Sequence, residues 1–170
     1  MTFYAKMEKV LFKIEAFIIT LMMAIMFITV FSQVLTRFFN LPFPDTSDLS
    51  LVSFAIMTFL GAGILVYLKD HISIDITTLI KNRRTKKSIE LVNHFFMIVI
   101  GVLLLMLGFS LLQYAITSGE TTMAMRIPLY IPHTAFVIGL IMLIIHTIGD
   151  ILELLSEKQV DGKTIQSEDR

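Results

Sequence analysis

Four long apolar stretches, each bounded by charged residues, dominate the hydrophobic pattern of the chain. They cover residues 16–36, 49–68, 91–118 and 132–149. A hydrocarbon core about 30 Å thick needs roughly 20 helical residues to cross it. The mean hydropathy of +0.79 agrees with this interpretation. The pattern therefore predicts an all-α integral membrane protein with four transmembrane helices in one domain, residues 1–155, followed by a polar cytoplasmic tail, residues 156–170.

Two shorter segments have patterns that are typical of the membrane surface. Apolar residues recur at helical spacing from Phe3 to Ile14 with lysines between them, which predicts an N-terminal amphipathic helix; a frayed start of the first span fits equally well. Residues 71–76 alternate like a strand, but an unpaired strand in lipid would leave its backbone polar groups unsatisfied. We therefore expect a turn there, with a short interfacial helix beginning at Asp75.

The distribution of basic residues predicts the orientation of the spans. Of the 14 Lys and Arg residues, all but Arg37 and Arg126 lie before the first span, between the second and third, or after the fourth. Cytoplasmic connections carry the excess of Lys and Arg in membrane proteins. We therefore expect both termini and residues 69–90 in the cytoplasm, and the loops at 38–48 and 119–131 on the outer side.

The apolar stretches contain no Asp, Glu, Lys or Arg. Ionisable residues within spans usually mark ion or substrate paths, because burying them in a membrane is expensive. Their absence argues against a carrier that moves ions by itself. The chain also has no cysteine and no evident nucleophile–base pair, phosphate-binding loop or metal-ligand spacing. We therefore expect no enzymatic activity, no cofactor or metal, and no nucleic-acid partner.

Two other functions stay open at this stage. His94 and His146 are expected at similar depth near the inner interface, where bis-histidine haem ligation would suit a membrane anchor of a respiratory complex. A small exporter that works as a dimer would need a membrane-embedded acid, and Glu15 at the edge of the first span is a poor candidate.

Several short motifs point to a known family. Residues 33–37 read Q-V-L-T-R at the end of the first span, Asp48 gives the second span an acidic start, residues 59–62 read F-L-G-A, and residues 71–75 read H-I-S-I-D. In these places the chain resembles the DctQ-type small membrane subunit of TRAP (tripartite ATP-independent periplasmic) transporters. The motifs cover residues 33–75, while the third and fourth spans agree in number and placement.

The resemblance implies a function and a set of partners. Such a subunit pairs with a large multi-span membrane subunit that carries the substrate and sodium sites and moves as an elevator. A periplasmic binding protein delivers the substrate, an organic acid such as a C4-dicarboxylate or a sialic acid. The small subunit is then a scaffold in the bacterial inner membrane, in contact with membrane lipids.

Eight residues are the candidates for these roles. We expect six of them to be available on the outer side to the binding protein or the large subunit, namely Gln33, Arg37, Asp45, Asp48, Glu120 and Arg126. We expect His71 and Asp75 to fix the cytoplasmic turn after the second span, with Asp75 capping a helix start.

Overall fold

The computed structural model describes the backbone of residues 2–68 and 83–168, and side-chain packing within residues 6–68 and 85–152. This part of the chain forms four long helices. They are α1 (Thr2–Phe38), α2 (Ser47–Tyr67), α3 (Arg83–Ser118) and α4 (Tyr130–Glu168). All four contain stretches long and apolar enough to cross a membrane. Each of the four predicted spans falls on its own helix, apart from Leu68 at the end of the second span, which directly follows α2.

The described helices pack as a row rather than as a closed bundle. α2 packs against α1 on one side and α4 on the other, and α3 packs against α4. The order across the row is therefore α1, α2, α4, α3. The connections at residues 39–46 and 119–129 lie together at one end, which we call the loop end. The N-terminal turns of α1 lie at the opposite end, which we call the terminal end.

Large apolar side chains cover the outside of this row. On α1, Phe17, Phe27 and Phe31 are 68%, 67% and 54% exposed, and α3 presents Phe95, Leu103 and Leu107 in the same way. A soluble monomer rarely exposes apolar patches of this extent. The arrangement suits a lipid environment, where apolar tails meet these side chains and helices associate through close packing.

Small residues allow the helices to approach each other closely. Gly101 and Gly108 of α3 face Ile144 and Phe136 of α4, where an added Cβ would lie 3.2 and 3.1 Å from the nearest side-chain atoms. At Gly139 of α4, an added Cβ would overlap the Phe59 carbonyl group of α2. Glycine at these positions brings backbones near enough for extensive van der Waals contact, which is the main attraction between helices in lipid.

The ends of the helices differ from the sequence expectations. A separate N-terminal amphipathic helix is not confirmed, because residues 2–38 form one continuous helix. The tail beyond residue 155 is polar, yet α4 continues to Glu168. Adding a residue to an existing helix costs far less than nucleating a new one, so a polar sequence can extend a helix. The expected interfacial helix, with His71 and Asp75, lies outside the described residues.

Candidate functional site

Three of the expected outer residues meet where α1 turns into α2. Gln33 in the last turns of α1 donates a side-chain hydrogen bond to Asp45 Oδ1. The Ser47 backbone N–H donates to the same oxygen at 2.9 Å. Ser47, through its side chain and then its backbone, holds the pKa of Asp45 below its ordinary value, and the positive charge of Arg37 adds to the effect. Asp45 is thus an ionised acceptor that joins the two helices.

A cavity of about 310 Å³ opens beside this contact. It is bordered by the polar side chains of Gln33, Arg37 and Asp45, and by apolar loop residues such as Leu41 and Phe43. Asn40 adopts a φ of +49°, a backbone conformation that asparagine tolerates better than most residues. The end of α1 and the loop therefore place one cation, one carboxylate and the amides of Gln33 and Asn40 around a small concave surface.

The second loop forms a hairpin that Asp48 holds against α2. The Thr122 N–H donates to the Ile127 carbonyl oxygen at 2.9 Å, and the Leu129 N–H donates to that of Glu120 at 3.0 Å. At the hairpin tip, the backbone N–H groups of residues 124 and 125 both donate to Asp48 Oδ2 at 2.7 Å. Bonds to a charged acceptor are about twice as strong as neutral ones. Asp48 therefore links the two connections of the loop end.

Glu120 and Arg126 occupy the two arms of this hairpin and are exposed. Tyr114 at the end of α3 donates its hydroxyl to Glu120 Oε1 at 3.2 Å. Arg126 adopts a φ of +53°. The structure thus brings Gln33, Arg37 and Asp45 together in one group and ties Asp48 to the hairpin, while Glu120 and Arg126 lie on the hairpin itself.

A second polar cluster, which the sequence did not predict, lies towards the terminal end. His146 of α4 is fully buried, and its Nδ1 lies 3.2 Å from Glu8 Oε1 of α1. Its Nε2 lies 3.3 Å from Oε2 of Glu15, a residue that is 2% exposed. Tyr67 of α2 packs its ring against His146, with ring centroids 5.3 Å apart. The two glutamates lie just before the first apolar stretch, which itself contains no acidic or basic residue, and the structure buries them against a histidine of the fourth stretch.

One sequence signal could have suggested half of this cluster. Glu8 and Glu15 are seven residues apart, so a continuous helix places them on the same face. The first apolar stretch begins at residue 16, whereas the helix begins at Thr2. Both glutamates therefore lie outside the predicted span, and their shared helix face was not predicted. The pairing with His146 could not be read from the sequence, because it depends on which helices are neighbours.

The cluster also bears on the two alternatives. Haem ligation would need a free ring nitrogen on His146, whereas both of its nitrogens face carboxylate oxygens. His94 lies on α3 with a buried Nδ1 that has no hydrogen-bond partner in the described part of the chain. Glu15, the acid that an exporter would need, is buried and paired with His146 rather than open to a path. Neither the haem anchor nor the exporter gains support.

Comparison with known proteins agrees with the arrangement of four membrane-length helices. Residues 22–157 match the family described as "Tripartite ATP-independent periplasmic transporters, DctQ component". No curated protein matches the chain. The matched region takes in all of α2 and α3, the greater part of α4 and the C-terminal half of α1, and it extends well beyond the motifs at residues 33–75. The chain therefore belongs to the DctQ family, the small membrane component of TRAP transporters.

Proposed function

We propose that this subunit is the immobile scaffold of a sodium-coupled secondary transporter that depends on a periplasmic binding protein. The family match over residues 22–157 carries the proposal. In this role the chain holds a large elevator-type membrane subunit in place and helps to dock the binding protein. The imported substrates are organic acids of the C4-dicarboxylate or sialic acid type.

The proposed setting is the bacterial inner membrane, with both termini in the cytoplasm. The loop end then faces the periplasm, where a binding protein can reach it. This orientation is supported by the distribution of Lys and Arg, since only Arg37 and Arg126 lie in the two loop-end connections.

The packing of the helices supports a scaffold role rather than a route for ions or substrate through this subunit. In the row, α1 packs mainly against α2 and α3 packs mainly against α4, which leaves broad apolar faces for lipid and for the large subunit. Within the described spans, Glu15 and His146 are buried against each other. A residue that carries an ion or a substrate through a transporter must instead face a cavity that opens to water.

The loop-end residues divide into two groups in this proposal. Asp45 and Asp48 accept hydrogen bonds within the chain and hold the two connections in shape. Arg37, Glu120 and Arg126 are exposed and available to a partner. Charged groups at the rim of an interface mainly steer association and set its specificity. We therefore assign docking to these three residues and positioning to the two aspartates.

Charge reversal in the assembled complex tests this assignment. The variants Arg37→Glu and Arg126→Glu, alone and together, are expressed with the cognate large subunit and binding protein. We expect binding-protein affinity and substrate uptake to fall roughly tenfold for the double variant, with a larger effect at low salt. Lys6→Glu is the matched control, because Lys6 is exposed at the terminal end.

Co-purification separates docking from assembly. The large subunit is expected to co-purify with the wild-type chain and with each variant, because the substitutions lie outside the apolar helix faces. Unchanged affinity and uptake in the double variant would contradict the docking role. Failure of the wild-type chain to retain a large membrane subunit in mild detergent would contradict the scaffold role.

A further inference from the structure

The buried Glu8, Glu15 and His146 cluster joins two helices that are separated by a third. Glu8 and Glu15 belong to α1 and His146 belongs to α4, while α2 lies between these helices in the row. The side chains of His146, Glu15 and Glu8 are 0%, 3% and 16% exposed. Ionisable groups buried in a membrane domain need compensation by a partner, because hydration is lost. The three side chains therefore depend on one another.

Gly63 of α2 creates the gap through which this contact is made. An added Cβ at Gly63 would lie 3.3 Å from Glu15 Oε1 and 3.3 Å from the Cβ of Met142 on α4. A larger residue there would fill the space between α1 and α4. One turn further along α2, Tyr67 stacks on Phe12 of α1 with ring centroids 4.6 Å apart and also packs on His146. On α2, Gly63 thus leaves the space in which α1 and α4 meet, and Tyr67 packs over the histidine of the cluster.

With ionised carboxylates at both ring nitrogens, the charged form of the histidine fits this geometry. A neutral imidazole has one N–H donor and one nitrogen lone pair, whereas imidazolium has two donors. Both ring nitrogens of His146 face carboxylate oxygens, so a neutral ring would direct its lone pair at one of them. Glu15 Oε1 is buried without a hydrogen-bond partner among the described residues, so His146 is the main compensation for this carboxylate.

We propose that Glu8, Glu15 and His146 form a proton-binding site in which a shared imidazolium fastens α1 to α4 across α2. Glu15 and imidazolium form a neutral pair in the interior, and Glu8 reaches towards the surface, where water can solvate its charge. The site gives the end helix of the row a second attachment, beyond its contact with α2. It goes beyond the scaffold role and does not depend on the identity of the transported substrate.

The titratable groups around the site come from several helices. Glu8 and Glu15 of α1 face the two ring nitrogens, and Tyr67 of α2 faces the ring. On α4, Asp150 lies one turn beyond His146. The N-terminal turns of α3, which pack towards the same end of α4, carry Lys87, Glu90 and His94. The substitutions that test the site therefore include carboxylate and histidine controls outside the cluster.

Nuclear magnetic resonance of the full chain in lipid nanodiscs tests the protonation state directly. The chain is labelled with ¹⁵N-histidine, and His146→Gln identifies the signal of interest among the four histidines. We expect the His146 ring to keep two N–H protons at about pH 7.5, where an ordinary histidine with a midpoint near 6.5 is mostly neutral. A neutral His146 ring at this pH would overturn the proposal. The protonation state is read from the wild-type spectrum, so the test does not depend on the stability of the variant.

Thermal unfolding of the same full chain tests the fastening. Glu15→Gln and His146→Gln are each expected to lower the melting temperature by several degrees, and the double variant by less than the sum of the two. Glu90→Gln in α3 and His133→Gln in the first turns of α4 are the matched controls, since both residues lie outside the cluster, and they are expected to melt like the wild type. Additive losses in the double variant would show that the two residues act separately, which would contradict a shared proton.

Discussion

At the scale of single residues, the loop end shows how one carboxylate can organise a connection between two helices. Asp45 accepts hydrogen bonds from Gln33 of α1 and from the backbone of Ser47 in α2. These interactions favour the ionised form, since a charged carboxylate accepts stronger hydrogen bonds than a neutral carboxyl group. Arg37 contributes through its charge and stays exposed. The same contact therefore shapes the loop and leaves a cation free for a partner.

The lowered pKa of Asp45 leads to a prediction about pH. Because the folded value lies below the ordinary value of 3.8, the contribution of Asp45 to stability is present at higher pH and is lost as pH falls through the folded value. We expect the Asp45 carboxyl signal, followed by ¹³C resonance in nanodiscs and assigned with Asp45→Asn, to titrate below 3.8. Ser47→Ala should move the midpoint upwards, and an unchanged midpoint would contradict the assigned cause.

At the scale of helices, the contact between α2 and α4 depends on the absence of a side chain at Gly139. An added Cβ would overlap the Phe59 carbonyl group and lie 2.7 Å from its carbon. Backbone atoms cannot move aside as the end of a flexible side chain can. The approach of these two helices also sets the position of His146, which lies two turns further along α4. Gly139 therefore supports the buried cluster as well as the packing.

Gly139→Ala is predicted to force α2 and α4 apart. Overpacking of a close interface costs about 1–3 kcal/mol, and we expect the melting temperature in detergent to fall by several degrees. Gly61→Ala is the matched control, because the nearest atom to its added Cβ is Ile19 Cδ1 at 4.0 Å. Alanine also favours helix by up to about 1 kcal/mol over glycine. Equal melting of the two variants would contradict the close contact at Gly139.

At the scale of the whole molecule, the sequence predicted the spans and the loops between them, but it did not predict the side-chain contacts between helices that are distant in the chain. The four spans follow from apolar length, and the loops at residues 38–48 and 119–131 follow from the charged residues and prolines that interrupt the apolar stretches. Contacts such as Asp48 with the hairpin and Glu15 with His146 join residues 76 and 131 positions apart. They depend on which helices are neighbours, and apolar faces in lipid carry no pattern that specifies this order.

The orientation of the whole molecule can be tested with single cysteines, because the chain has none of its own. Met123 at the tip of the hairpin is 100% exposed, so Met123→Cys presents a thiol at the loop end. Ser167→Cys places one near the C-terminus. If the loop end is periplasmic, a membrane-impermeant maleimide added to cells with a permeable outer membrane should label Met123→Cys at once. It should label Ser167→Cys only after the inner membrane is disrupted. The reverse pattern would place the loop end in the cytoplasm, where a periplasmic binding protein could not reach Arg37 or Arg126.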